Sequence, residues 1–181
     1  TEMVHRYEGT VNQYLGDGLM ALFGAPIALE DHALRAVQAA LAIRETVSGY
    51  SERLKHERGL EMRLRVALNS GPVIVGKIGD DLRMDYTAIG DTTHLAATVQ
   101  RHAGPGMILI TDATHRLVGG YVRTESSGEV SLTGRSEPVS LFSVTGRLRR
   151  RSRLEVSADI GLTELIGRER EHAILQDCLT R

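Results

Sequence analysis

The stretch LRVALNSGPVIVGKIGDDLRMDYTAIGDTTHLAATVQ, residues 64–100, changes from the hydrophobic period of strands to that of a helix. Apolar residues in 61–71 alternate with arginines, as in a half-buried strand. The apolar residues of this alternation are Met62, Leu64, Val66 and Leu68. Residues 72–79 continue as a second strand and 84–89 form a third. The segment 90–104, GDTTHLAATVQRHAG, has the composition and spacing of a helix.

Upstream of this stretch, a hairpin and a long helix are predicted. TVNQYL, which alternates apolar and polar residues, and LMALFG flank Gly-Asp-Gly at 16–18, and an Asp-Gly pair readily adopts the positive φ angles of a two-residue turn. A helix is predicted from His32 to about His56, with Asp31 as its N-cap. Its apolar residues fall close to one face: Leu34, Val37, Leu41, Val47, Tyr50 and Leu54.

Downstream, strands and helices continue to alternate. MILIT at 107–111 is typical of a buried strand, 112–120 of a short helix, and 121–132 and 138–145 of two further strands. The whole order predicts an α/β or α+β domain with a mixed sheet. The segment RLRRRSR, within 147–161, is predicted to be a solvated linker, because it has no interleaved aromatic residues that would favour nucleic acid.

Composition restricts the function classes. The 181 residues are 41% hydrophobic with a net charge of −1, so no polyanionic partner such as nucleic acid is indicated. The single cysteine, Cys178, cannot form an intrachain disulfide, and no leader or long apolar run is present. A cytoplasmic protein without a membrane segment is expected. Both ends read as the interior of helices, so the chain is expected to be a fragment.

Two common ligand motifs are excluded. GPVIVGKI, residues 71–78, has the spacing of a phosphate-binding loop, but its spacer is strand-like and Ile78 stands where magnesium needs a hydroxyl. The seven histidines show no zinc-ligand spacing. Asp17, at the predicted hairpin tip, is either an ordinary turn aspartate or a ligand-binding carboxylate, and the dipeptide alone does not separate the two.

Four blocks follow one another between residues 7 and 97: YEGTVNQYLGDGLMALFGAP, EDHALRAVQAAL, LRVALNSGPVIVGKIGDDLRMDYTAIGDT and LAA. In order and spacing they resemble the catalytic domain of class III adenylate and guanylate cyclases, and the resemblance covers residues 1–146. It implies a ferredoxin-like α+β fold, with helices packed on a mixed, mainly antiparallel sheet. It also implies a homodimer and, in intracellular signalling, conversion of ATP or GTP to a cyclic nucleotide and pyrophosphate. Two carboxylates would hold Mg2+ or Mn2+.

The resemblance assigns roles to individual positions. Asp17 matches one metal-binding aspartate, whereas the other, with the first strand of the fold, is expected before residue 1, so this fragment alone is predicted to be inactive. Gln13 and Thr87 match the base-recognition positions, where Gln13 replaces a lysine. His94 matches an asparagine that positions the ribose, and Thr98 matches an arginine that stabilises charge on the transferring phosphate.

A further phosphate-contacting lysine is matched by Thr133, with Arg135 close enough to replace it. Removal of one donor that stabilises a transition state commonly lowers a rate by about 100-fold to 1000-fold. Because several such groups are replaced together, cyclase activity is predicted to be impaired.

Two functions remain open at this point. One is a cyclase of reduced activity. The alternative is a catalytically degenerate module that binds nucleotide or dimerises and so regulates an attached ATPase domain. The tail LTELIGREREHAIL resembles the opening of a signalling ATPase domain, so 162–181 is predicted to begin such a domain. Equally, His94 could simply cap or pack in the first turn of its helix and be chemically idle.

Overall fold

A computed structural model describes residues 1–78, 85–131, 137–148, 155–156 and 167–179. The chain divides into two compact units, Thr1–Arg149 and Arg150–Arg181. None of the described helices is both long enough and apolar enough to cross a membrane. Most of the predicted linker, and the first residues of the predicted ATPase segment, lie outside the described part of the chain.

A four-stranded sheet with the order β3-β6-β8-β7 is the centre of the first unit. Its strands are β3 (Val66–Leu68), β6 (Ile108–Thr111), β7 (Val122–Val130) and β8 (Val139–Arg147). β3 and β6 are parallel, whereas β6 with β8 and β7 with β8 are antiparallel. The predicted mixed, mainly antiparallel α+β fold is confirmed.

Two antiparallel strand pairs accompany this sheet among the described residues of the unit. The first pairs β1 (Thr10–Leu15) with β2 (Gly18–Leu22), and the second pairs β4 (Ile74–Ile78) with β5 (Asp85–Ile89). The backbone of β5 packs against both β1 and helix α3 (Asp91–His102). The elements that carry most of the predicted site residues are therefore neighbours of one strand.

Other helices in the described part of the chain are α1 (Glu2–Arg6), α2 (His32–Arg58), α4 (Asp112–Val118) and, in the second unit, α5 (Glu169–Leu179). Gly59 follows the last residue of α2 and has a left-handed φ of 68°, a conformation that commonly terminates helices. At the start of α5, the Glu169 carboxyl accepts hydrogen bonds from the N–H of Glu169 itself and from the N–H of Gly167. These bonds lower the pKa of the Glu169 carboxyl. Such bonds at a helix N-terminus stabilise the ionised form.

The core lies on both faces of the sheet. Ile108 and Ile110 of β6 face a cluster that includes Val37 and Leu41 of α2. Leu109 between them faces the opposite way, toward a cluster with Leu95 and Val99 of α3 and Leu141 of β8. All four residues of β6 are buried, as predicted for MILIT. Alternating side chains of one strand thus hold α2 on one face and α3 on the other.

One arginine joins α2 to strand β8. Arg44 Nη1 donates a hydrogen bond of 3.1 Å to the carbonyl of Val144, and Nη2 donates one of 3.3 Å to that of Thr145. Those carbonyls belong to β8. The planar guanidinium suits two neighbouring acceptors in a way that a lysine would not.

Two of the strand predictions are wrong. Residues 61–65 are not a strand, and Met62 is 45% exposed. Among the described strands, β3 pairs with β6 alone, and because β6 begins at Ile108, the residues before Val66 have no strand beside them. β1 does not alternate in burial; exposure instead increases toward the turn, and a bulge separates Val11 from Gln13.

Asp31 occupies the N-cap position of α2 but makes no side-chain cap hydrogen bond. Its Oδ1 instead accepts a bond of 2.7 Å from Nε of Arg35, whose Nη1 also lies 3.1 Å from Oε2 of Glu8. The hydrogen bond to Asp31 raises the pKa of Arg35. Arg35, which is bonded to Asp31, therefore joins Glu8, a residue after α1, to helix α2.

We expect Ile110→Ala to lower the free energy of unfolding by about 2–5 kcal/mol, because it leaves a cavity in a packed core. Ile110 is 0% exposed. Ile27, which is 75% exposed, supplies the matched control, and Ile27→Ala should change the same quantity by no more than about 0.5 kcal/mol. Urea denaturation measures both. Equal losses for the two variants would contradict the assignment of β6 to the core.

Candidate functional site

The tip of the β1–β2 hairpin presents a carboxylate to solvent. Leu15 pairs with Gly18, so the two-residue turn consists of Gly16 and Asp17, one residue earlier than the predicted Asp17-Gly18 turn. Gly16 has a φ of 62°, the sign that a type II′ turn requires at its first central residue. Asp17 is exposed. A ligand can therefore approach both the carboxylate and the adjoining glycine backbone.

Gln13 lies on the same hairpin as Asp17. It is exposed and sits opposite Met20, directly after the bulge of β1. Thr87 lies in β5, where its backbone pairs with that of Gly76. Because β5 packs against β1, the strands carrying the two predicted base-recognition residues are neighbours. Thr133 and Arg135 lie outside the described residues.

Helix α3 carries the two positions that the resemblance assigns to an asparagine and an arginine. His94 is exposed in the first turn, and Thr98 is half-buried one turn later. Thr98 Oγ1 donates a hydrogen bond of 3.0 Å to the carbonyl of His94. This local bond within the helix is typical of threonine and engages the only hydrogen that the hydroxyl can donate.

Arg101, which sequence reasoning did not single out, lies beside Thr98. Its Nη2 donates a hydrogen bond of 3.2 Å to Thr98 Oγ1, and the side chain is exposed. The signal that could have identified it is the spacing of three residues, which places both side chains on one face of a helix. A cation is therefore present next to the position that the resemblance assigns to an arginine.

Two surface grooves are lined by other residues. One, of about 340 Å³, lies between His32, Ser70 and α4. The other, of about 710 Å³, lies between the second half of α2 and the segment 61–64. Among the described residues, neither groove is lined by Gln13, Asp17, His94 or Thr98.

The donor atoms of the site fit a divalent cation only in part. Asp17 supplies a hard carboxylate oxygen of the kind that Mg2+ and Mn2+ prefer. Within the described ranges, however, no three His, Cys, Asp or Glu side chains are grouped so that they could hold a metal ion. Among the described residues, the donor set therefore agrees with such a metal in kind but not in number.

The fold is shared with solved nucleotide cyclase domains. The structure of the adenylyl cyclase CyaB from P. aeruginosa is similar with a TM-score of 0.72 and 27% identity, over 83% of this chain and 79% of that one. The guanylate cyclase domain of RhGC from Catenaria anguillulae, solved in complex with GTP, has a TM-score of 0.70 and 30% identity, over 81% and 78% of the two chains. The architecture is therefore that of a nucleotide cyclase catalytic domain.

The sequence leads to the same family. Residues 2–146 match the family model described as the adenylate and guanylate cyclase catalytic domain. Adenylate cyclase 1 of Rhizobium meliloti (strain 1021) is 29% identical over 152 residues, which cover 82% of this chain and 23% of the relative. The chain belongs to the adenylate and guanylate cyclase catalytic domain family, and it spans about a quarter of the length of this curated relative.

We expect Asp17→Ala to change the free energy of unfolding by no more than about 0.5 kcal/mol, because the side chain is exposed and surface substitutions of this kind are nearly neutral. Gly16→Ala in the same turn should cost about 1–2 kcal/mol, since the φ of 62° is unfavourable for any residue with a Cβ. Urea denaturation compares the two. A large loss for Asp17→Ala would mean that the carboxylate serves the fold and not a ligand.

Proposed function

We propose that the chain is the catalytic domain of a nucleotidyl cyclase of reduced activity, which converts ATP or GTP to a cyclic nucleotide and pyrophosphate. The observation that carries this proposal is the exposed carboxylate of Asp17, presented by a glycine-flanked turn in a chain that belongs to the cyclase family. In the proposed site, the carboxylate of Asp17 would bind a divalent cation. Gln13 and Thr87 contact the base.

The reduced activity is inferred from α3. His94 can donate or accept a hydrogen bond at the ribose where the family resemblance expects an asparagine. Thr98 cannot supply the positive charge of an arginine, and its hydroxyl hydrogen is already bonded to the carbonyl of His94. The exposed guanidinium of Arg101, bonded to Thr98 Oγ1, is the nearest cation that the described contacts place at this position. It lies one helical turn from the expected arginine, so it is proposed to stabilise phosphate charge less well.

A homodimer of this domain is part of the proposal. Large apolar side chains are exposed around the hairpin tip, with Tyr14 at 67%, Leu15 at 54% and Leu19 at 40%. Ile74 of β4 is 76% exposed. Apolar side chains gathered near a polar site are typical of surfaces that bind a partner, and a second copy of the domain would cover them.

The second candidate is a degenerate module that binds nucleotide, or only dimerises, and regulates an attached ATPase domain. It is favoured by the concentration of replaced groups at Gln13, His94 and Thr98, while the scaffold that carries them is intact. Calorimetric titration of the full-length protein with ATP and GTP distinguishes a module that binds nucleotide from one that only dimerises. Binding without turnover supports a nucleotide sensor, and absence of binding leaves dimerisation alone.

Cyclase activity is tested on the full-length protein with ATP or GTP and Mn2+ or Mg2+. We expect cyclic nucleotide to be released, and Asp17→Asn to lower the rate by at least about 100-fold, because the variant cannot supply the anionic ligand. Glu125→Gln, which neutralises an exposed carboxylate on β7, should leave the rate unchanged. If the unmodified protein forms no more product than Asp17→Asn, the proposed activity is wrong and the second candidate remains.

Restoring the expected groups on α3 should increase turnover. We expect the double variant His94→Asn and Thr98→Arg to raise kcat by about 10-fold to 100-fold, since a positioned cation at the transferring phosphate stabilises the transition state. Gln100→Arg adds the same charge at an exposed position of α3 and should have little effect. An equal increase from Gln100→Arg would attribute the gain to net charge and contradict the assignment of Thr98.

A further inference from the structure

The N-terminus of α3 is not held by a capping side chain. Its N-cap position is Gly90, which has a φ of 149° and no side chain to bond the first free N–H groups. Within the first turn, Thr93 Oγ1 donates a hydrogen bond of 2.8 Å to the carbonyl of Gly90. That bond stabilises the turn itself but does not fix its position relative to the rest of the domain.

The loop that follows β3 makes the connection instead. Asn69 Nδ2 donates a hydrogen bond of 3.0 Å to the carbonyl of Thr92. Thr92 Oγ1 returns a bond of 2.7 Å to the carbonyl of Pro72. A donor and an acceptor on each side thus join residues 69–72 to the second residue of α3.

Gly71 makes this approach possible. A Cβ added at Gly71 would lie 2.7 Å from Thr92 Oγ1, closer than such atoms approach in proteins. Any other residue at this position would push Thr92 away or displace the loop. The contact between the loop and α3 therefore depends on a glycine as well as on the two hydrogen bonds.

Asn69 is itself fixed from the opposite side. Thr111 Oγ1, at the end of β6 and 0% exposed, donates a hydrogen bond of 2.8 Å to Asn69 Oδ1. The same Oγ1 accepts from the N–H of Thr114 at 3.4 Å and so caps α4. The amide of Asn69 consequently links the buried end of β6 to α3 through its two different atoms, which an aspartate or a leucine could not do.

We infer that Asn69 is a positioning residue of the candidate site, which sets the placement of α3 and with it His94 and Thr98. The placement of α3 by Asn69 is inferred from the hydrogen bonds alone. The effect of that placement on catalysis rests on the proposed function. Asn69 contacts the backbone of Thr92, two residues before His94. Because the helix is rigid over this length, a shift of its first turn moves both site positions together.

The test uses Asn69→Asp in the full-length protein. The new carboxylate can still accept the bond from Thr111, but it has no hydrogen to donate to the carbonyl of Thr92. Ser70→Ala is the matched control, since it removes the 3.0 Å bond between Ser70 and Thr114 from the same loop without touching α3. Gly71→Ala disturbs the same contact by an independent route.

Hydrogen–deuterium exchange followed by mass spectrometry reports on placement without any turnover. Asn69→Asp and Gly71→Ala should accelerate exchange in peptides of α3 by about 10-fold, the effect of losing one net hydrogen bond. Exchange in peptides of β6 should be unchanged, and Ser70→Ala should leave α3 as it is. If Asn69→Asp leaves α3 unchanged, or accelerates α3 and β6 equally, the inference is wrong.

Steady-state kinetics reports on the catalytic consequence. Asn69→Asp should lower kcat by about 10-fold to 100-fold, because small displacements of catalytic groups reduce turnover steeply. KM should change less than kcat, since only the ribose contact of His94 is displaced while the hairpin that carries Gln13 and Asp17 is unaltered. If Ser70→Ala lowers kcat equally, the effect is one of loop stability and the inference fails. A full-length protein without any activity would refute the proposed function, and the exchange experiment would still decide the role of Asn69.

Discussion

Burial of β6 on both faces is the constraint on which the rest of the first unit depends. A strand of four buried residues must have both edges hydrogen-bonded, and β3 and β8 supply those edges. Its alternating side chains then require apolar cover from α2 on one face and from α3 on the other. The end of the same strand, at Thr111, caps α4 and bonds Asn69. Strand β6 thus both forms the centre of the core and, through Thr111 and Asn69, helps to hold α3.

The site is separate from the core in energetic terms. Gln13, Asp17 and His94 are exposed, and the helix and hairpin that carry them are held by other residues. Substitutions at these positions can therefore change the chemistry without loss of the fold. The cyclase architecture, with TM-scores of 0.70 and 0.72 to solved cyclase domains, therefore does not depend on which side chains stand at these exposed positions.

Much of the fold could be predicted because the period of apolar residues reports directly on burial. Strand β6 and helices α2 and α3 were predicted within a few residues of their observed bounds. The prediction failed where backbone pairing between strands, and not the pattern of apolar residues, determines the extent of a strand or the position of a turn. Met62 has the alternation of a strand residue, yet β6 offers no partner that far along, and the turn at Gly16 and Asp17 is set by cross-strand register.

For the candidate site, the sequence identified residue types but not their connections. The roles of His94 and Thr98 stay predictions from their positions in a motif. Asn69 was not recognisable in this way, because its importance lies in bonds to Thr92 and Thr111, which are 23 and 42 residues away. Arg101 could have been found from helical spacing alone, since it lies three residues after Thr98.

The bonds from Arg44 bear on the order in which the domain assembles. Its acceptor carbonyls follow it by 100 and 101 residues, and β8, to which they belong, also supplies one edge of β6. During synthesis, α2 and β6 emerge well before β8. Neither the second edge of the central strand nor the arginine contact can form until that last strand is available. Folding dominated by such distant contacts is slow, and the unpaired edge of β6 is exposed to wrong partners in the interval.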